Sequence, residues 1–284
     1  MEEVGMKYLI SVMILLGLVA CSSDTEEMAE APVADKVETP AMEQAEMPVM
    51  AEEPPMTVAM VEFVWHKKGP NFSDESLMAH TEKWAGIVDE AGWDLRSASV
   101  ITPRFDNPNA DFMWVMAWPS LEARNTAWSD WAETYEADWL ASSEGVFTYN
   151  SETVPTFKPN RGRVSAMPTP VGGTGVREYL FCSYNEGYGA DDMAAYRLAF
   201  NAYVDGVATE TGPSRYWWAY LSPMFDPQPD NPFDFVWTNS WGADAERDAG
   251  QAAFVETDLA AEAQTMLTCS DPFVFDTRRI YAGA

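Results

Sequence analysis

A pattern that occurs twice in one chain constrains the fold more than any other feature of this sequence. The stretch ITPRFDNPNADFMWVMAWPSLEARNTAWSDW, from Ile101 to Trp131, returns loosely as LSPMFDPQPDNPFDFVWTNSWGADAERDAGQAAF from Leu221 to Phe254. Pro103, Phe105 and Asp106 recur 120 residues later as Pro223, Phe225 and Asp226, and Trp114, Trp118 and Arg124 recur 123 residues later as Trp237, Trp241 and Arg247. The added residues fall between Asp106 and Phe112, in a Pro/Asn/Asp run whose turn chemistry tolerates insertion. The 284-residue chain is therefore expected to hold two like modules of roughly 100 residues each.

The repeat begins only after a leader and a tether. Residues 1–21 carry Lys7, the apolar run YLISVMILLGLVA and then Cys21. That run is too short to span a bilayer and has the length of a signal-peptide core. Leu18-Val19-Ala20-Cys21 resembles the bacterial lipoprotein box, which implies lipidation of Cys21, a membrane anchor through that lipid, and, with Ser22 following, sorting to the periplasmic face of the outer membrane. Met6 is an alternative initiator. Residues 22–57 hold ten acidic residues, one lysine and no aromatic residue, the composition of a disordered acidic linker. The formal charge of −28 excludes a nucleic-acid surface, which needs Lys and Arg to neutralise phosphate.

From Thr57 the patterning reads strand (TVAMVEFVWH), turn, helix from about Ser73 to Ala91, strand (LRSASVIT), strand (DFMWVMAW), long helix, and strand (VFTYNSETVPTF). On the first helix Leu77, His80, Trp84, Val88 and Ala91 share one face; on the second, Leu121, Arg124, Trp128, Trp131, Tyr135 and Trp139 do. This is βαββαβ over 58–158, followed by a Pro/Gly linker over 159–175 and a second βαββαβ over 176–284, with a helix from about Ala190 to Thr211 and another from about Ala243 to Leu267. Such a unit folds as a ferredoxin-like α+β layer, with four strands and both helices on one face. Strands such as FMWVMAW and YLFCSY are apolar at nearly every position, so both faces of each sheet are expected to be buried. The economical solution packs the two ferredoxin-like repeats sheet to sheet, as a monomer with an internal pseudo-dimer.

This arrangement resembles the dimeric α+β barrel superfamily, including antibiotic-biosynthesis-type monooxygenases, EthD-like and NIPSNAP-like proteins. The local likeness is WPSLEARNTAWSDWAETYEADW, similar to the NIPSNAP-type strand-to-helix pattern with a Leu, an Arg and spaced aromatics. The second copy keeps Arg247 but has Gln251 and Phe254 where the first has Trp128 and Trp131. The resemblance implies a space between the sheets for a small ligand. In some members that space holds haem or supports cofactor-free oxygenation, with a histidine as base or haem ligand.

The residues themselves assign no cofactor and no metal: there is no HExxH, no Cys/His cluster and no phosphate loop. The chain has two histidines, His66 at the end of the first strand and His80 on the helix stripe, which excludes catalytic arrangements needing several; they are the candidate bases. The candidate ligand-binding set is Trp65, His66, His80, Arg104, Tyr184, Trp218 and Tyr220, within an aromatic load that also includes Trp93, Trp114, Trp118, Trp217, Trp237 and Trp241. Arg104 and Arg215 could each anchor an acidic ligand group or simply solubilise the surface. Arg124 and Arg247, present in both copies, suggest a structural pairing with a carboxylate. Cys182 and Cys269 are candidates for a disulfide, because the first and last strands of such a unit are neighbours; the pairing stays open because Cys182 sits mid-strand. Three functions remain: a lipoprotein that binds a small apolar or aromatic ligand, a monooxygenase or EthD-like enzyme, or an envelope interaction protein with no small ligand.

Overall fold

The computed structural model describes residues 58–229 and 231–283. The leader, Cys21 and the acidic linker lie outside the described residues. Ten strands and six α-helices follow in the order β1 (Met60–Lys68), α1 (Asp74–Ala91), β2 (Ser97–Pro103), β3 (Phe112–Trp118), α2 (Leu121–Asp130), α3 (Glu136–Ser143), β4 (Phe147–Asn150), β5 (Thr156–Arg163), β6 (Thr174–Tyr184), α4 (Ala190–Thr211), β7 (Trp217–Pro223), β8 (Phe235–Trp241), α5 (Asp244–Val255), α6 (Asp258–Met266), β9 (Leu267–Cys269) and β10 (Phe273–Ala282).

Local chemistry fixes the helix ends. The Ser73 hydroxyl accepts from Ser76 N–H while Ser76 Oγ accepts from Ser73 N–H, a reciprocal cap that starts α1 one residue inside the expected boundary. Gly92, at φ 67°, ends it in the left-handed conformation. The Ser120 hydroxyl caps α2. A π-helical turn over Trp131–Tyr135 joins α2 to α3, so the long helix of the first copy is continuous, whereas in the second copy Thr257 caps a new helix and divides α5 from α6.

The first copy pairs its strands in the order β2-β3-β1-β5 and the second in the order β7-β8-β6-β10, every pair antiparallel. Two further pairings, β5 with β7 and β10 with β2, join the copies edge to edge and close one α+β barrel. This differs from two separate sheets stacked face to face, and the difference lies in the strand expected to be VFTYNSETVPTF. Pro155 breaks it: β4 stays on β1, and the chain re-forms as β5, which runs through Arg163 into the expected 159–175 linker and onto β7. Closing the sheet removes four exposed edges. Gly162 is required at that seam, because a Cβ there would lie 2.1 Å from the Trp218 ring.

The continuous apolar runs are explained by burial on both faces. On β3, Met113 and Val115 face the barrel interior, and Phe112, Trp114, Met116 and Trp118 face the helices. The barrel interior is a packed core in which Phe63, Phe157, Tyr179 and Phe275 meet edge to face, with centroids 5.4–5.6 Å apart. The open ligand space expected between the sheets is therefore occupied by side chains.

Candidate functional site

An apolar space opens outside the barrel, between the sheet of the second copy and helices α4, α5 and α6. It is a cavity of about 1120 Å³. The corresponding layer of the first copy retains only about 50 Å³. Side-chain size accounts for the difference. In the first copy Trp84, Trp114, Trp118, Trp131 and Trp139 are buried there, with Trp93 and Trp128 against them. At the repeat positions the second copy has Val204 for Trp84, Gln251 for Trp128 and Phe254 for Trp131, and α6 turns Ala263 inward where α3 turns Trp139. Lost ring volume cannot be refilled by a rigid barrel, so it remains as space.

The polar equipment of this cavity is sparse and ordered. Asn239 Oδ1 accepts from Tyr216 Oη and from Trp237 Nε1, each at 3.0 Å. Burial holds the Tyr216 phenol well above its usual range, so it stays a neutral donor. Gln251 Nε2 donates to both carboxylate oxygens of Glu178 at 2.9 Å. Glu178 is 2 % exposed, and burial raises its pKa against the opposing pull of Arg247, whose Nε stands 3.4 Å away. The first copy carries the same device in tighter form. Glu62, fully buried, accepts from Trp118 Nε1 at 2.7 Å, Arg124 Nε at 2.8 Å and Trp128 Nε1 at 3.0 Å. Arg124 and Arg247 thus make the structural carboxylate pairing that their recurrence suggests.

The candidate residues read from sequence do not converge. Trp65 packs against the barrel core. His66, next to it, points the other way and is 3 % exposed, stacked on Phe112 at 4.7 Å with Nδ1 2.9 Å from Val64 O. Burial lowers its pKa to about 3, so the ring is neutral but enclosed among aromatic rings and out of reach of a substrate. Both ring nitrogens of His80 face carbonyls, Ser76 O at 2.7 Å and Ser142 O at 3.0 Å. Arg104 is held at the β10–β2 seam by Asp244 and Asp276. Trp218 is stacked on Trp237 at 4.8 Å and donates to Asn201, while Tyr184 and Tyr220 flank Phe235; none of the three lines the cavity. Cys182 and Cys269 are joined in a disulfide between β6 and β9. Tyr216 and Asn239 escaped the sequence reading. The signal for the cavity was the exchange of Trp128 and Trp131 for Gln251 and Phe254.

The wall of this cavity offers a haem iron no histidine, thiolate or favoured phenolate ligand: both histidines lie in the other copy, Cys269 is in a disulfide, and burial disfavours the phenolates of Tyr196, Tyr203 and Tyr216, which leaves the Met167 thioether as the one ordinary axial ligand type on it. Among the described residues, no group of three or more His, Cys, Asp or Glu could hold a metal ion.

Several solved structures are similar. A candidate monooxygenase from Fusobacterium nucleatum subsp. nucleatum aligns at a TM-score of 0.50 and 8 % identity, covering 80 % of this chain and 94 % of that one. A candidate monooxygenase from Lactobacillus acidophilus aligns at 0.47 and 11 %, covering 78 % and 95 %. A mutant chlorite dismutase from Candidatus Nitrospira defluvii, in complex with cyanide, aligns at 0.46 and 10 %, covering 78 % and 91 %. At 8 % identity the likeness to the Fusobacterium structure shows a shared α+β barrel fold and nothing more. No family model matches the sequence. No curated protein matches it either.

Proposed function

We propose that the second copy binds a large apolar or aromatic ligand between its sheet and α4–α6, and that the first copy is its filled, stabilising counterpart. The contrast between about 1120 Å³ and about 50 Å³ at matching places in the two copies carries this reading. The cavity is bounded mainly by apolar side chains, with a few fixed polar groups, the usual make-up of a small-molecule site. Titrating the full chain with 1-pyrenebutanol, a neutral fluorescent apolar probe, tests it. Saturable binding that is lost on Gly250→Leu supports the reading, and absence of saturable binding overturns it.

A second reading is supported by the likeness in fold to the Fusobacterium candidate monooxygenase: the cavity is the active site of a monooxygenase or EthD-like enzyme acting on the bound ligand. His66 and His80 would not be its base, because neither lines the cavity. Oxygen uptake above the uncatalysed rate on adding 1,4-dihydroxynaphthalene would favour this reading.

The same proposal places the domain as a tandem of ferredoxin-like repeats, related to the NIPSNAP-like group and carried on a lipoprotein anchored through Cys21 at the periplasmic face of the outer membrane. The strand orders of the two copies support the first point, and closure of the barrel within one chain supports a monomer. The Cys182–Cys269 disulfide supports an oxidising compartment. Among the described residues no helix is long and apolar enough to cross a membrane.

A further inference from the structure

Most arginines of the described domain have a protein acceptor. Arg104, Arg124, Arg163 and Arg247 each meet a carboxylate, and Arg279 donates to carbonyls. Arg215 differs. It is half-buried, lines the large cavity, and has no carboxylate within ion-pair distance among the described residues. In a chain with 45 acidic and 17 basic residues, a cation left without a partner at the edge of an apolar space is unusual. Its position is fixed by the start of β7: the side chain lies along Gly242, where a Cβ would meet Arg215 Cδ at 3.0 Å. Glu246 lies against the same glycine, its Oε2 accepting Gly242 N–H at 2.7 Å and its Oε1 buried with no partner. Deeper along the same wall stands Asn239, whose Oδ1 is committed to Tyr216 and Trp237.

We infer that the ligand is an acid: an apolar body lodged between α4 and α5–α6, with a carboxylate held by Arg215 at the rim. This rests on the proposed ligand-binding reading and specifies the class of ligand. A guanidinium offers a carboxylate two parallel N–H donors, and the apolar surroundings strengthen that contact. Glu246 acts in the opposite sense. Its carboxylate repels an incoming anion, so it selects for a single negative charge placed on the Arg215 side.

The test uses the full chain and a matched pair of probes, 1-pyrenebutanoate and 1-pyrenebutanol, which share the apolar body and differ in the headgroup. The acid is expected to bind the wild type roughly tenfold or more tightly than the alcohol, the range of one charged hydrogen-bonded contact. Arg215→Gln should abolish that difference and Arg215→Lys should restore part of it, read as the ratio of acid to alcohol affinity within each variant. Glu246→Gln, which keeps the acceptor for Gly242 N–H, should tighten the acid and leave the alcohol alone. Equal affinity of wild type for the two probes, or a preference for the acid that survives Arg215→Gln, overturns the inference while leaving the cavity reading intact. Failure of both probes to bind overturns both.

Discussion

Gln251 stands in the second copy where Trp128 stands in the first, and each donates its side-chain N–H to a buried glutamate, Glu178 and Glu62 respectively. The polar role is preserved while the ring is lost. One position therefore serves the structure in both copies and opens space in only one. If missing rings make the cavity, restoring them should close it. Val204→Trp combined with Gln251→Trp supplies two of the indoles that fill the first copy, and the indole introduced in place of Gln251 keeps an N–H donor for Glu178. The affinity for 1-pyrenebutanol is expected to fall at least tenfold while the melting temperature does not drop, read by fluorescence titration and thermal unfolding.

The two buried glutamates are held to different degrees. Arg124 Nε lies 2.8 Å from Glu62, which is fully buried, and the corresponding separation at Arg247 and Glu178 is 3.4 Å. Removing one partner of a buried pair leaves a charge without compensation, at roughly 3–5 kcal/mol. Arg124→Ala should approach that cost. Arg247→Ala should cost clearly less, because burial already raises the pKa of Glu178 and its carboxyl can take up a proton instead. Urea unfolding of the two variants at neutral pH measures the difference. Equal losses would contradict it.

Much of this architecture could be read from the chain. Trp114, Trp118 and Arg124 keep their spacing in the second copy because each has a fixed partner in the same layer: Trp114 and Trp118 are buried under the helices, and Arg124 reaches Glu62. α1 was legible from the shared face of Leu77, Trp84 and Val88, and the structure adds its caps, Ser73 at one end and Gly92 at the other. The route of β5 was not legible. Lys158, Pro159 and Asn160 look like a linker, and only pairing with β7, a strand some 60 residues further on, makes them a strand. The cavity was hidden for a related reason: a space is defined by residues that are absent. Composition shows a heavy aromatic load but not that the rings fill one helix–sheet layer and leave the other open. His66 shows the same limit. Its neighbour Trp65 faces the barrel, so adjacent residues chosen for one site lie on opposite faces of β1.

His66 should give the protein an acid limb. Its pKa is about 3 in the fold and 6.5 in the unfolded chain. Between those values the unfolded state binds a proton that the folded state excludes, so stability falls as pH drops through this window, by up to about 1.4 kcal/mol per pH unit. His66→Phe should flatten that slope. It should also carry a constant penalty for the lost contact with Val64 O. Urea unfolding at pH 7.5, 5.5 and 4.5 separates the two effects: the gap between variant and wild type should narrow on acidification. A parallel pair of curves would mean that protonated His66 is tolerated in the fold.

The place of His66 in the first copy is the place of Cys182 in the second. His66 is opposite Tyr149 across β1 and β4, and Cys182 is bonded to Cys269 across β6 and β9. The first copy fills this junction with stacked rings, whereas the second ties it covalently across 87 residues of chain. The bond sits where the cavity needs it. β9 has only three residues and follows directly from α6, which bears Ala263 on the cavity wall, and Cys269 itself borders the space. α6 packs through Leu259 and Met266 but turns Ala263 to the space, and the covalent tie adds to that packing at its C-terminal end. Replacing both cysteines by serine should lower stability by roughly 2–5 kcal/mol, and it should also weaken 1-pyrenebutanol binding several-fold as α6 loosens. Dithiothreitol should do the same to the wild type and nothing to the double variant. A loss of stability with unchanged probe affinity would show that α6 is positioned by its own packing on the sheet and that the disulfide serves folding alone.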